Sequence, residues 1–372
     1  MPPESNVRGS CFGLFGALLW HVTRGPASVD RFPALRRKVG WRQNLAAQAT
    51  LARSMRRATI LLLVAAQSGA CLAAGQSDII GERMPDDAFD ALPKTVIKVD
   101  GGTLNVGFAP GEFALPKSRL LAWIEKSAKA VSLYYVRFPV PETRVLVVPL
   151  SGQGVRAGTA FGYRGPAIRL GVGVESTEDD LQEDWKAVHE MIHLALPDVT
   201  QDHLWLAEGL AVYIESIARV QAGDLTAAKI WHEFVRDMPQ GLPKPTDGGL
   251  EGTTSWGRKY WGGAIFCLLA DVELRKRSGN KTGLQDAMRG VVAAGGTHDK
   301  DWPIDRILNV ADKSVGMTVL SELYEKMGKA AYRPDLNQLW SDLGVIDTPV
   351  GAHFDDRAPL ADVRRAITSA PR

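Results

Sequence analysis

The stretch "WKAVHEMIHLALP", residues 185–197, constrains this chain more than any other. Its apolar residues recur at helical spacing, so it reads as a helix facing a core, yet its middle carries His189, Glu190 and His193. Apolar flanks on both sides would bury all three, and buried ionisable groups are costly without a partner. Residues four apart share a helix face, so His189 and His193 aim two imidazole nitrogens at one point, with Glu190 one step round. A divalent cation satisfies that arrangement. The alternative is two histidines held by core hydrogen bonds, with Glu190 at the surface. Either way the fold has to bring this helix inside and face it with a further donor.

The next helical stretch, "WLAEGLAVYIE", offers that donor. Glu208 follows His193 by fifteen residues, and between them Pro197 ends the first helix while "DVTQD" turns the chain. Two antiparallel helices would then bring His189, His193 and Glu208 together, with Gly209 permitting a close approach. An ordinary surface acid is the competing reading of Glu208. Glu215, seven residues further along the same face, is placed either to hold a ligand imidazole or in solvent. His-Glu-x-x-His on a helix is the pattern in which two imidazoles hold zinc and the glutamate acts as general base on water.

Around this centre the chain divides in character. "TVIKVD" and "TLNVGF" flank Gly101 and Gly102 as a hairpin, and "PKSRLLAWIEKSAKAVSLYY" has helical spacing behind Pro116. "RVLVVPL" reads as a buried strand, and "GTAFGYRG" and "AIRLGVGV" as two more around Gly165 and Pro166. From Ser176 onward the pattern is helical. One helix is expected to run from the acidic start "STEDD" to Pro197, another from an Asp202 cap to Gly223, and another through "RKYWGGAIFCLLADVELRKR". A Gly- and Pro-rich loop at 239–257 is expected either to wall a cleft or simply to connect. The fold class is therefore α+β: a mixed sheet lobe with helices over residues 78–175, a mainly helical lobe over 176–342 carrying the candidate site, and a tail over 343–372.

The beginning of the chain has a separate character. Residues 1–57 hold ten of the 44 Lys and Arg against two of the 42 acids, leaving 34 basic and 40 acidic residues beyond. The body is mildly acidic, which argues against a nucleic-acid partner. "MRRATILLLVAAQSGACLAAG" has the positive start, apolar run and small residues of a secretory signal over 55–74, with a membrane anchor as its alternative. Residues 1–54 are then either a disordered extension or an overlong start before Met55. Cys71 follows "SGA", so lipidation is a minor possibility. Beyond the signal only Cys267 remains, which leaves no internal disulfide. Export to a periplasm or cell exterior follows, with no stable membrane span after cleavage.

"HEMIH", "WLAEGLAVYIE" and "YWGGAIFCLLADVELR" together resemble the gluzincin zinc peptidases, and among them the glycyl aminopeptidase-like family, over roughly residues 180–295. The resemblance implies a zincin-like catalytic domain and a peptide or protein substrate. It matches Tyr260, Gly262, Gly263, Asp271 and Arg275 to the family's next helix, and implies that Tyr260 stabilises the oxyanion of the tetrahedral intermediate; a core or rim tyrosine is the alternative. There are two departures. Trp261 and Gly262 stand where the family often has a residue and then Lys, and "GTAFGYRGPAIRLGVG" lacks the acid that holds a substrate amine in the broader aminopeptidase group. Aminopeptidase specificity therefore does not carry over. A peptide is expected to lie as an added strand along "AFGYRG" or "AIRLGV". Two rival readings keep the same residues: a silent peptide-binding or envelope scaffold, and a zinc hydrolase of a nonpeptide amide or ester.

Overall fold

The computed structural model describes residues 83–370. The expectations for the extension, the signal segment and Cys71 lie outside these residues. The fold is α+β, as expected: a mixed five-stranded sheet followed by a helical lobe.

A short helix α1 (Asp86–Ala91) leads into β1 (Lys94–Val99) and β2 (Gly102–Phe108), an antiparallel hairpin turning at Gly101, whose φ of 80° suits a residue without Cβ. Helix α2 (Lys117–Tyr135) starts behind Pro116 and carries the chain to β3 (Glu142–Leu150), parallel to β2. Strands β4 (Val155–Phe161) and β5 (Ala167–Gly173) form a second hairpin, and the sheet order is β1-β2-β3-β5-β4. The near-continuous apolar runs of β3 and β5 fit their central, buried positions. Strand β4 is left at one edge, so β5, with partners on both sides, has no edge for a peptide; of the two expected docking strands only β4 keeps one, and it ends within "AFGYRG", where Gly162 lies against the backbone of His298.

The helix expected from Ser176 to Pro197 is two helices, α3 (Glu178–Glu183) and α4 (Lys186–His193). Thr177 caps α3, in a reciprocal pair with Asp180. The break has a local cause. Asp184 is extended, and its carboxylate accepts from the amides of Lys186 and Ala187 at 3.0 Å each, so it stops one helix and caps the next. Asp202 is not a cap either: a tight turn over Gln201–His203 feeds α5 (Leu204–Gln221), and no side chain caps that start.

Helix α6 (Ala227–Asp237) is capped by Thr226, and the segment that follows is fastened rather than loose. The amides of Leu250 and Glu251 donate to the carbonyls of Met327 (2.8 Å) and Gly328 (3.0 Å). The next helix opens with a wide π-type turn, Arg258–Gly262, before α7 (Gly263–Ser278), which ends at left-handed Gly279. Helices α8 (Leu284–Ala293), α9 (Ile304–Val315), α10 (Val319–Leu323) and α11 (Leu336–Leu343) follow. The tail forms the hairpin β6 (Val345–Thr348) and β7 (Gly351–Phe354) and helix α12 (Ala361–Thr368).

One apolar core runs through both parts, from Leu104, Val145 and Leu170 in the sheet to Trp205, Phe266 and Leu308 among the helices. Helix α4 lies between β4 and α5, and α5 packs on α7. Gly209 does permit a close approach, but to α7 and not α4: a Cβ there would lie 2.3 Å from Gly263. Among the described residues no helix is long and apolar enough to cross a membrane.

Candidate metal centre and active site

Helices α4 and α5 bring His189, His193 and Glu208 together, each offering a ligand atom within 4.8 Å of the others. Both imidazoles face the same carboxylate oxygen: His189 Nε2 lies 3.2 Å and His193 Nε2 3.7 Å from Glu208 Oε2. The turn at Pro197 and the Gln201–His203 segment reverse the chain so that these two helix faces oppose one another.

Burial sets the charges. It drives His193 down to about 3, so this imidazole is neutral and its lone pair is available. For His189, burial pulls downward, but the hydrogen bond to Glu208 and the neighbouring carboxylates outweigh it and leave the group raised. Glu208 is lowered despite its burial, because His189, His193 and the Tyr260 hydroxyl all favour its charged form. Two imidazoles and one ionised carboxylate in a buried space form a donor set that suits zinc. Glu215, on the same face of α5, does not hold a ligand imidazole. It is buried and satisfied by Arg219 at 2.8 Å and Ser216 at 2.9 Å, while His189 Nδ1 is buried without a hydrogen-bond partner.

Glu190 is buried against the edge strand. Burial pushes its carboxyl up to about 7, against a smaller downward pull from His189. Gly158 on β4 makes its room: a Cβ at that position would lie 2.7 Å from Glu190 Oε1. Tyr260, in the π-type turn, has its hydroxyl beside Glu208, and its ring stacks 6.1 Å from His189. Burial and the Glu208 carboxylate push its phenol well up, keeping it a proton donor. Asp271, from the same motif, is a structural hub rather than a site residue: it accepts from Tyr213, Arg275 and the Leu284 amide.

Sequence reasoning missed several neighbours. His298, from the segment after α8, lies 6.3 Å from His193; its backbone amide donates to the Leu194 carbonyl at 3.3 Å and its carbonyl lies against Gly162, so this segment runs between the end of α4 and the end of β4. No local motif announces it, because it arrives from more than a hundred residues away. Trp185 packs edge-on against His189 at 5.2 Å, a contact its spacing of four before His189 could have indicated. His203 stays away from the centre, bonded to Thr200 and Glu251, and His232 pairs with Asp347.

No family model and no curated protein sequence matches this chain. Its fold is similar to that of an aminopeptidase N family protein from Idiomarina loihiensis, 18% identical, with a TM-score of 0.51 over 69% of this chain and 50% of that one. An M1 zinc metallopeptidase from Deinococcus radiodurans is matched at 14% identity and a TM-score of 0.43, over 66% of this chain and 52% of that one. A mutant of the Deinococcus enzyme, bound to a Tyr-Ser-Ala substrate, is matched at 14% identity and a TM-score of 0.44, over 66% and 53%. The chain thus spans about half the length of these proteins, and it has the α+β architecture of the aminopeptidase N structure.

Proposed function

We propose that this chain is a zinc-dependent metallopeptidase, related to the glycyl aminopeptidase-like gluzincins, and that the segment over 55–74 exports it. The observation that carries the enzymatic reading is the convergence of His189, His193 and Glu208 beside a buried carboxylate, Glu190, poised near neutrality. His189, His193 and Glu208 would hold the metal. When bound, zinc supplies Lewis acidity that lowers the pKa of a water to about 7.

The chain's own groups divide the remaining work. Glu190, near pH 7 by virtue of burial, takes the proton from water at its carboxylate and returns it to the leaving amine. Tyr260 turns its hydroxyl from Glu208 toward the developing oxyanion, a role worth about 3 kcal/mol of barrier for a single donor. Strand β4 offers its free edge to an extended peptide before Gly162, where the backbone of His298 closes against it.

Metal analysis of the purified protein, with mass-spectrometric readout of a peptide library digest, tests this reading. One zinc per chain and cleavage are expected, with Glu190→Gln keeping the metal and losing about 10²–10⁴-fold in rate. Zinc with no cleavage would favour the scaffold, and turnover restricted to nonpeptide amides or esters would favour the other hydrolase. N-terminal sequencing of the exported protein tests the signal: a start near Ala74 supports it, and an intact Met1 opposes it.

A further inference from the structure

The candidate centre is flanked by apolar surface left in water. Trp185 is 40% exposed and Trp256 54% exposed; Trp185 touches the His189 ring directly and Trp256 reaches it through Tyr260. Trp185 stands one turn before His189 on the stripe of α4 that also carries His193. Trp256 stacks on Tyr260 with centroids 4.8 Å apart and planes 20° apart, and Tyr260 stacks on His189 at 9°. A series of rings thus runs from solvent through Tyr260 to a candidate ligand and out again at Trp185.

Trp256 is also held in place. Arg258 is buried, and its guanidinium donates to the carbonyls of Gly248 at 2.9 Å and Gly249 at 3.0 Å, pinning the segment that ends in Trp256. A rigid indole loses little freedom when a ligand settles on it, and its exposed area is what a large apolar group would recover from water. Trp185 is less available, because the Lys186 ammonium lies 4.6 Å from its ring centre.

We propose that Trp256, assisted by Trp185 across His189, forms an aromatic lip that receives a large apolar or aromatic side chain flanking the bond to be cleaved. This rests on the peptidase reading and adds to it a specificity that the zinc-binding residues do not supply.

The test compares matched peptides that differ only in carrying Phe, Leu or Ala beside the cleaved bond. In Trp256→Ala, kcat/KM should fall about three- to tenfold further for the Phe and Leu peptides than for the Ala peptide, with Trp256→Phe restoring most of that difference. Equal losses on all peptides, or no loss on any, would overturn the lip. Binding of the same peptides to Glu190→Gln, followed by tryptophan fluorescence, reads the lip without turnover. A preference for Phe over Ala that disappears in the Trp256→Ala double variant supports it even if the wild type cleaves nothing, whereas equal binding of Phe and Ala peptides overturns it.

Discussion

His189 has two sides, and they are built by opposite rules. On one side it faces Glu208 in a space between α4 and α5, where His189 and Glu208 are buried, His193 is partly so, and the charges are set by neighbours. On the other side it meets Tyr260 and Trp185, rings that lead within one or two residues to open solvent. A buried polar cluster in a low-dielectric interior tolerates almost no change in its members, because whatever is removed leaves another group unpaired. A stacked rim has no such interdependence, since each ring contributes apolar area on its own account. Under the proposed function the deep side would then decide whether there is chemistry at all, and the rim which substrates reach it.

The sharpest way to break this contrast is Glu208→Ala. It removes the carboxylate that both imidazoles face, so zinc content should fall to background and hydrolysis of every peptide, aromatic or not, should drop more than about a thousandfold. Retained zinc, or a loss confined to one class of peptide, would show that the two sides are not separate. A subtler intrusion is Gly158→Ala. The added methyl would lie 2.6 Å from Glu190 Cγ, so the carboxylate has to move while the zinc-binding set stays in place. Misplacing a reacting group by about 1 Å costs on the order of a hundredfold, so kcat should fall by that order with zinc content unchanged. An unaltered kcat would remove Gly158 from the account of Glu190.

The deep side was legible in the sequence because helical periodicity is local. Spacings of four put His189 and His193 on one face, and Pro197 announced the reversal that brings Glu208 back to them. The strands and their hairpins were legible for the same reason, from apolar runs between glycine turns. What escaped depends on contacts distant in sequence, or on a side chain choosing between roles. Asp184 looked like one more acid within a helix, yet it is extended and its carboxylate takes the first two amides of the helix that follows. The expected closeness at Gly209 is real, but its partner is Gly263, some fifty residues on. Glu215 shares the ligand face and still turns to Arg219, because a guanidinium four residues away on the same helix offers it a better partner. The rim was illegible because nothing in "GTTSWGRKY" says that the tryptophan will stack on the tyrosine four residues later, when the turn between them is π-type rather than α.

The smallest effect concerns stability, and it separates Glu190 from the ligands around it. Burial raises its carboxyl from 4.5 to about 7 in the folded, metal-free protein. Between those values the folded state binds a proton that the unfolded state has released, so this group's contribution is fully present below about pH 4.5 and is lost as the pH rises through 7. Glutamine keeps the shape and never ionises. In the presence of a chelator, Glu190→Gln should therefore match the wild type near pH 4.5 and exceed it by about 1–3 kcal/mol at pH 8, measured by urea unfolding. The variant expected to lose most of its turnover would then be the more stable protein at neutral pH, as expected if the site keeps an unfavourable buried charge for its chemistry. Parallel curves for the two proteins from pH 4.5 to 8 would mean that the carboxylate is solvated, and with that the physical reason for choosing Glu190 as the base would be gone.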